Sequence, residues 1–249
     1  MRDHHDRRGR LAIYVGGSGT FEAGYSEIVQ NNGGADVYIR KSSNKASVDV
    51  NPFADSAALK TAVNNCLRAV PSGLDCCKPK SEGGGGADCG AGKHAAIGDW
   101  DTSKVTSMEK LFSRGVFNQP IGDWDTSQVT NMNEMFLRNA AFNQPIGDWD
   151  TSKVTIMRKM FARCDAFNQP VGSWDTSKVT TMYNMFHRTW AFNQPIGSWD
   201  TSKVKDMHGM FWVAKVFNQD ISGWNLSSRR SVNTRKMFRE ADAYNRAHG

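Results

Sequence analysis

The chain has 249 residues, of which 39% are hydrophobic, 22% charged and 23 are Gly, and this ordinary globular usage excludes wholesale disorder. No apolar run approaches the roughly 18 residues of a membrane span, so a chain crossing the bilayer as helices is excluded. Lys plus Arg 31 against Asp plus Glu 25 gives a net charge of +6 and a pI near 9.1, which permits anionic partners without specifying nucleic acid, and no nucleic-acid partner is read from it.

Residues 1–50 open on Met1-Arg2-Asp3-His4-His5-Asp6-Arg7-Arg8, followed by an apolar run of only five residues, too short for a signal-peptide core. Leu11-Ala12-Ile13-Tyr14-Val15 and Val37-Tyr38-Ile39 have strand character, and Gly16, Gly17, Gly19, Asn31, Asn32, Gly33 and Gly34 punctuate them as turns. A short β-rich segment is expected. The stretch A-I-Y-V-G-G-S-G-T-F-E-A-G-Y-S-E-I-V-Q-N-N-G-G is similar to the closing rungs of right-handed parallel β-helices of the polymorphic outer-membrane or pectate-lyase-like kind. That resemblance implies the remnant of a larger β-helix whose first rungs are missing.

Residues 51–95 predict a cap. Leu59, Ala62, Val63, Cys66, Leu67 and Val70 fall at helical spacing, with Asp55 or Ser56 as N-cap and Pro71-Ser72-Gly73 as stop. Cys66, Cys76, Cys77 and Cys89 lie within 24 positions around the Gly83 to Gly86 run, which reads as two disulfides whose pairing the sequence leaves open. The spacing lacks the paired C-x2-C knuckles of a zinc site, and no metal or other cofactor is expected. Gly86 to Lys93, G-A-D-C-G-A-G-K, fails as a phosphate loop because Ala87 stands where a Gly is required and His94 where Ser or Thr is. Cys164, left over, reads as a buried free thiol.

Residues 96–249 repeat. Trp100, Trp124, Trp149, Trp174, Trp199 and Trp224 recur at intervals of 24, 25, 25, 25 and 25, and columns of Phe117, Phe142, Phe167, Phe192, Phe217 with Tyr244 and of Phe112, Phe136, Phe161, Phe186, Phe211 with Phe238 keep step. A unit this short cannot bury an aromatic face alone, so about six coils must stack. Within one coil Val129, Met132, Met135 and Phe136 are spaced for one face of a short helix, with Asp125, Thr126 and Ser127 as its cap. Phe142 to Trp149 is too short for a helix and predicts a strand of three or four residues, pairing in parallel at about 4.8 Å into a sheet roughly 25 to 30 Å long. The expected fold class is therefore an α/β repeat solenoid of leucine-rich-repeat-like coils, each with a short helix and a short strand, preceded by the disulfide-bearing cap and the β-rich segment.

Copies such as F-N-Q-P-I-G-D-W-D-T-S-Q-V-T-N-M-N-E-M-F resemble the 25-residue repeat of BspA-like leucine-rich-repeat surface proteins, the mycoplasma lipoprotein-type, DUF285-like repeat, over about residues 96–245. The resemblance implies a module displayed outside the cell, with adhesion or binding as its work and no catalytic residues to carry over. The sixth copy departs from it at Asn225 to Arg230, as a degenerate C-terminal cap would. With the Cys cluster, the resemblance points to an extracellular or cell-surface location, which a truncated start would reconcile with the short apolar run.

In stacked copies chemistry is spread along rows. Arg114, Arg138, Arg163 and Arg188, broken by Val213, form a basic strip suited to an anionic glycan or phosphate, beside a plain role at helix C-termini. Asp101, Asp125, Asp150, Asp175 and Asp200 read as helix caps, with a calcium-binding edge as the sharper alternative. Asn143, Asn168, Asn193 and Asn218, with Asn118, predict a ladder that hydrogen-bonds the neighbouring coil. The Thr columns at 126 and 130 read as caps rather than an ice-binding array, and His187 and His208 as surface residues. The function expected is a non-enzymatic recognition or adhesion module for an extracellular protein or glycan. A purely structural envelope or matrix element is the alternative, and a glycosidase lacks an oriented carboxylate pair.

Overall fold

The computed structural model describes residues 3–5, 11–13, 27–30, 37–40, 51–224, 226 and 231–248. It divides into two units, Met1–Val48 and Asp49–Gly249. In the first, β1 (Asp3–His5) pairs antiparallel with β2 (Leu11–Ile13), and β3 (Glu27–Gln30) pairs antiparallel with β4 (Val37–Arg40), Glu27 opposite Arg40. Rungs of a parallel β-helix pair with their neighbours in parallel, whereas these two pairs are antiparallel. The turn residues expected at Gly16 to Gly19 and Asn31 to Gly34, like the divergent residues 227–230, lie outside the described residues.

The second unit begins with α1 (Ser56–Ala69), whose Asp55 carboxylate accepts the Ala58 N–H at 2.8 Å and whose face Leu59, Ala62, Val63 and Cys66 is buried. Disulfides join Cys66 to Cys76 and Cys77 to Cys89, holding the following Gly-rich loop against the helix. Ser56 Oγ accepts the N–H groups of Thr106 at 3.2 Å and Ser107 at 2.9 Å, and Lys60 Nζ donates to the Glu109 carbonyl at 3.4 Å. Phe53 packs on Trp100 with ring centroids 5.2 Å apart. The helix thus covers the first coil and gives partners to backbone groups that have no preceding coil.

The coils contain neither the expected helix nor the expected strand, so the α/β repeat solenoid is overturned. Among the described residues they consist of turns, three-residue 3-10 turns at Ile97–Asp99 and Ser222–Trp224, and one parallel bridge per junction, running Ser107, Asn131, Ile156, Thr181, Asp206, Asn233, until α2 (Asp242–His248) ends the last copy. The bridge falls in the stretch read as helical. An α-helix would send each N–H four residues back. Here alternate N–H groups leave the coil: Met132 donates to Ile156 O at 3.0 Å, Glu134 to Arg158 O at 2.8 Å, Phe136 to Met160 O at 2.9 Å and Arg138 to Ala162 O at 2.8 Å. The intervening ones close four-residue turns, as Met135 to Met132 O at 3.3 Å and Asn139 to Phe136 O at 2.9 Å. Glu134 and Arg138 sit at φ 57° and 61°, which stops any helix from propagating.

Stacking places like on like. Phe136 lies 3.8 Å from Phe142 in its own layer and 5.6 Å from Phe161 in the next, and Trp149, Trp174 and Trp199 follow one another at 6.4 Å. The six column tryptophans are 2–4% exposed, and each indole from Trp124 to Trp224 donates to a carbonyl of the preceding coil, as Trp174 to Ile146 O at 3.1 Å. Burying each large aromatic stabilises the stack by about 1.5–3 kcal/mol. Gly147 is dictated by contact: a Cβ there would stand 2.6 Å from the Pro170 carbonyl oxygen of the next coil.

Candidate ligand-binding cleft and arginine row

The turn ladder leaves two positions per coil at positive φ. One is held by Lys110, Glu134, Lys159, Asn184, Gly209 and Lys236, the other by Arg114, Arg138, Arg163, Arg188, Val213 and Glu240. Because the helix is absent, the arginines are turn residues and have no helix terminus to neutralise. Holding a side chain there costs about 1–2 kcal/mol relative to Gly. The first position accepts Gly once, at Gly209; the second never does. Among the described residues none of the four arginines has an acidic partner within 4 Å, whereas neighbouring cations do.

Those other cations converge on Glu134. Lys159 lies 3.4 Å, Arg158 3.5 Å and Lys110 3.9 Å from its carboxylate, whose side chain is 12% exposed. Around this neutralised floor opens a cleft of about 320 Å³ lined by Arg114, Arg138, Arg163, Lys159, Leu137, Ala162, Tyr183, Asn184 and His187. Arg158 covers one face of Tyr183 at 4.9 Å, and His208 stacks on the ring at 5.3 Å. His187 packs against Trp212 at 4.9 Å, and burial, helped by the charges of Arg188, Arg163 and Lys159, holds its pKa down to about 4. At neutral pH it is an uncharged imidazole among cations. The cleft therefore offers guanidinium donors and no free carboxylate, a setting for an anion.

The other rows serve the stack. Asn143 Oδ1 accepts the Asn168 N–H at 2.9 Å and the Gln169 Nε2 at 3.0 Å, and Asn168 and Asn193 repeat the arrangement one and two coils on; Asn218 receives it as a donor. These amides are partly exposed, not buried as the ladder reading assumed. Asp125, Asp150 and Asp175 accept the N–H two residues ahead, closing turns rather than capping helices, and the Ser152 and Ser177 hydroxyls, with those N–H groups, hold the Asp150 and Asp175 carboxyls below their usual pKa. Thr126 and Thr151 donate to the carbonyls of Asp150 and Asp175 in the following coil. The Asp row does not converge: among the described residues the metal-like grouping of three is Cys66, Cys76 and Cys77, engaged in disulfides. Cys164 is buried, donates to the Asn139 carbonyl at 2.9 Å, and burial pushes its thiol far from ionisation. It is no nucleophile.

Sequence reasoning found the Arg row and missed Glu134, Arg158, Lys159 and Tyr183, which occupy variable positions of the repeat. Their signal was available: they fall between the two column methionines of successive copies, and the 25-residue register sets them side by side.

The family model described as "Mycoplasma protein of unknown function, DUF285" matches residues 87–177 and again 146–249, together most of the chain. Turn-built coils carrying a surface row define a repeat protein, and the chain belongs to this family. No curated protein and no solved structure matches it.

Proposed function

We propose that the protein is a non-enzymatic recognition module that binds an anionic ligand along the Arg114, Arg138, Arg163, Arg188 row, outside the cell or on its surface. The observation that carries this reading is that four consecutive coils hold an arginine with no acidic group within 4 Å among the described residues, in a strained turn that Gly would fill at lower energy. The row borders a cleft whose one acidic side chain is already neutralised. Two disulfides in the cap suit an oxidising compartment, in keeping with an extracellular site. Regular cationic spacing suits a linear polyanion such as an acidic glycan or an acidic stretch of a partner protein.

The test is equilibrium binding of sulfated and uronate-rich glycans and of polyphosphate to the oxidised protein, with and without Arg138, Arg163 and Arg188 changed to Ser. The expected result is binding that weakens with added salt and falls at least tenfold in the triple variant, about 1.4 kcal/mol. Binding of equal strength in the variant would remove the row from the account.

A further inference from the structure

The row that the proposed function rests on has an aromatic neighbour that none of the preceding structure uses. Trp190 is 51% exposed, while the six column tryptophans are at most 4% exposed. Its position is held in other coils by Gly115, Ala140, Asp165, Lys215 and Asp242, so packing does not call for a large apolar group there. Other aromatic surfaces near the row are occupied: Tyr183 by Arg158 and His208, Trp212 by His187, Lys236 and Arg239. Among the described residues the Trp190 ring has no aromatic or cationic neighbour.

The backbone that presents it is fixed. Thr189 is fully buried and its hydroxyl donates to the Phe161 carbonyl at 2.7 Å; the Arg188 N–H donates to Trp212 O at 2.9 Å and the Ala191 N–H to Asp165 O at 3.3 Å. The indole therefore stands two residues beyond Arg188 on a held turn, with Asp165 in the corresponding position one coil back, within the fields of Arg163 and Arg188. An open aromatic face two residues along the chain from Arg188, at the repeat position whose Asp165 counterpart feels Arg163 and Arg188, matches the chemistry of a sugar ring. Its positively polarised C–H edges lie on the negative π face, while its acidic substituent meets the cations.

We propose that Trp190 is the stacking platform of this site, so that the anionic ligand is an acidic saccharide whose ring lies on the indole and whose carboxylate or sulfate meets Arg163 and Arg188. This rests on the arginine row being the binding surface, and the experiment separates the two. A heparin-derived hexasaccharide, which has rings, and inorganic polyphosphate, which has none, are titrated against wild type, Trp190→Ala, Trp190→Phe and the Arg138, Arg163, Arg188→Ser variant. Trp190→Ala is expected to weaken the hexasaccharide about tenfold and leave polyphosphate unchanged, with Trp190→Phe retaining most of the affinity. Both probes are expected to weaken in the Ser variant, and the melting temperature of Trp190→Ala should match wild type. Equal losses for the two probes, or no loss for the hexasaccharide, overturn the platform while the arginine row stands. Polyphosphate binding to wild type without hexasaccharide binding does the same, and loss of neither probe in the Ser variant overturns both readings.

Discussion

Asn143 Oδ1 accepts the backbone N–H of Asn168, one coil further on, at 2.9 Å, and that bond recurs at the same length between Asn168 and Asn193. One side-chain oxygen thus sets the register of two coils. Asn168→Ala leaves the Asn193 N–H without its acceptor and the Gln194 amide with the Asn168 backbone carbonyl alone, at 3.0 Å. The variant should lose about 0.5–1.5 kcal/mol of stability, seen as a lower denaturant midpoint at unchanged slope, while Asn168→Asp, which keeps the acceptor, should lose less.

The strained turn of Arg138 makes a prediction in which stability and binding part company. Arg138→Ala and Arg138→Gly both remove the guanidinium and should weaken anion binding alike. At φ 61° only Gly relaxes the backbone, so Arg138→Gly should be more stable than Arg138→Ala by about 1 kcal/mol in paired melts. Equal stability would mean that the turn stores no strain.

How much of this was legible beforehand follows from the same turns. The 25-residue period and the inward aromatic columns stand in the letters. So does the helix, read for 55–70 and found at Ser56–Ala69, because its cap and apolar face lie close in sequence. The helix and strand assigned to each coil did not survive. Val129, Met132, Met135 and Phe136 are spaced by three, three and one, which consecutive turns bonded three residues back produce as well as a helix does, and the deciding hydrogen bonds run between coils. Positive φ is announced by Gly only at Gly209; at Glu134 and Arg138 the sequence gives no sign of it. The cleft stayed hidden because Tyr183, Lys159 and Glu134 become neighbours only once copies are in register.

His187 gives a pH signature. Its pKa is about 4 in the folded protein against 6.5 as the unperturbed value, so between those limits the unfolded chain binds more protons and stability rises with pH. The contribution is fully present above pH 6.5 and is lost as pH falls toward 4. Asp165, whose carboxyl burial raises, works in the opposite sense, and Asp150 and Asp175 act at lower pH. His187→Gln should flatten the slope of stability between pH 6.5 and 4 in urea titrations; an unchanged slope would contradict the assignment.

The disulfide between Cys66 and Cys76 closes a separation of 10 residues and ties α1 to the Gly-rich loop. Replacing both by Ser should reduce stability by about 2–3 kcal/mol. Hydrogen exchange should then quicken first at Thr106 and Ser107, whose N–H groups depend on Ser56. Uniform acceleration along all coils would show instead that the helix does not cap the stack.

The account stands on alternate N–H groups leaving each coil for the next, since that ladder sets the arginines in a row. Scalar coupling across hydrogen bonds measures it directly in NMR. Correlations are predicted from the nitrogens of Glu134, Phe136 and Arg138 to the carbonyl carbons of Arg158, Met160 and Ala162. Correlations from Phe136 to Met132 and from Arg138 to Glu134, the pattern of a helix within one coil, would contradict it.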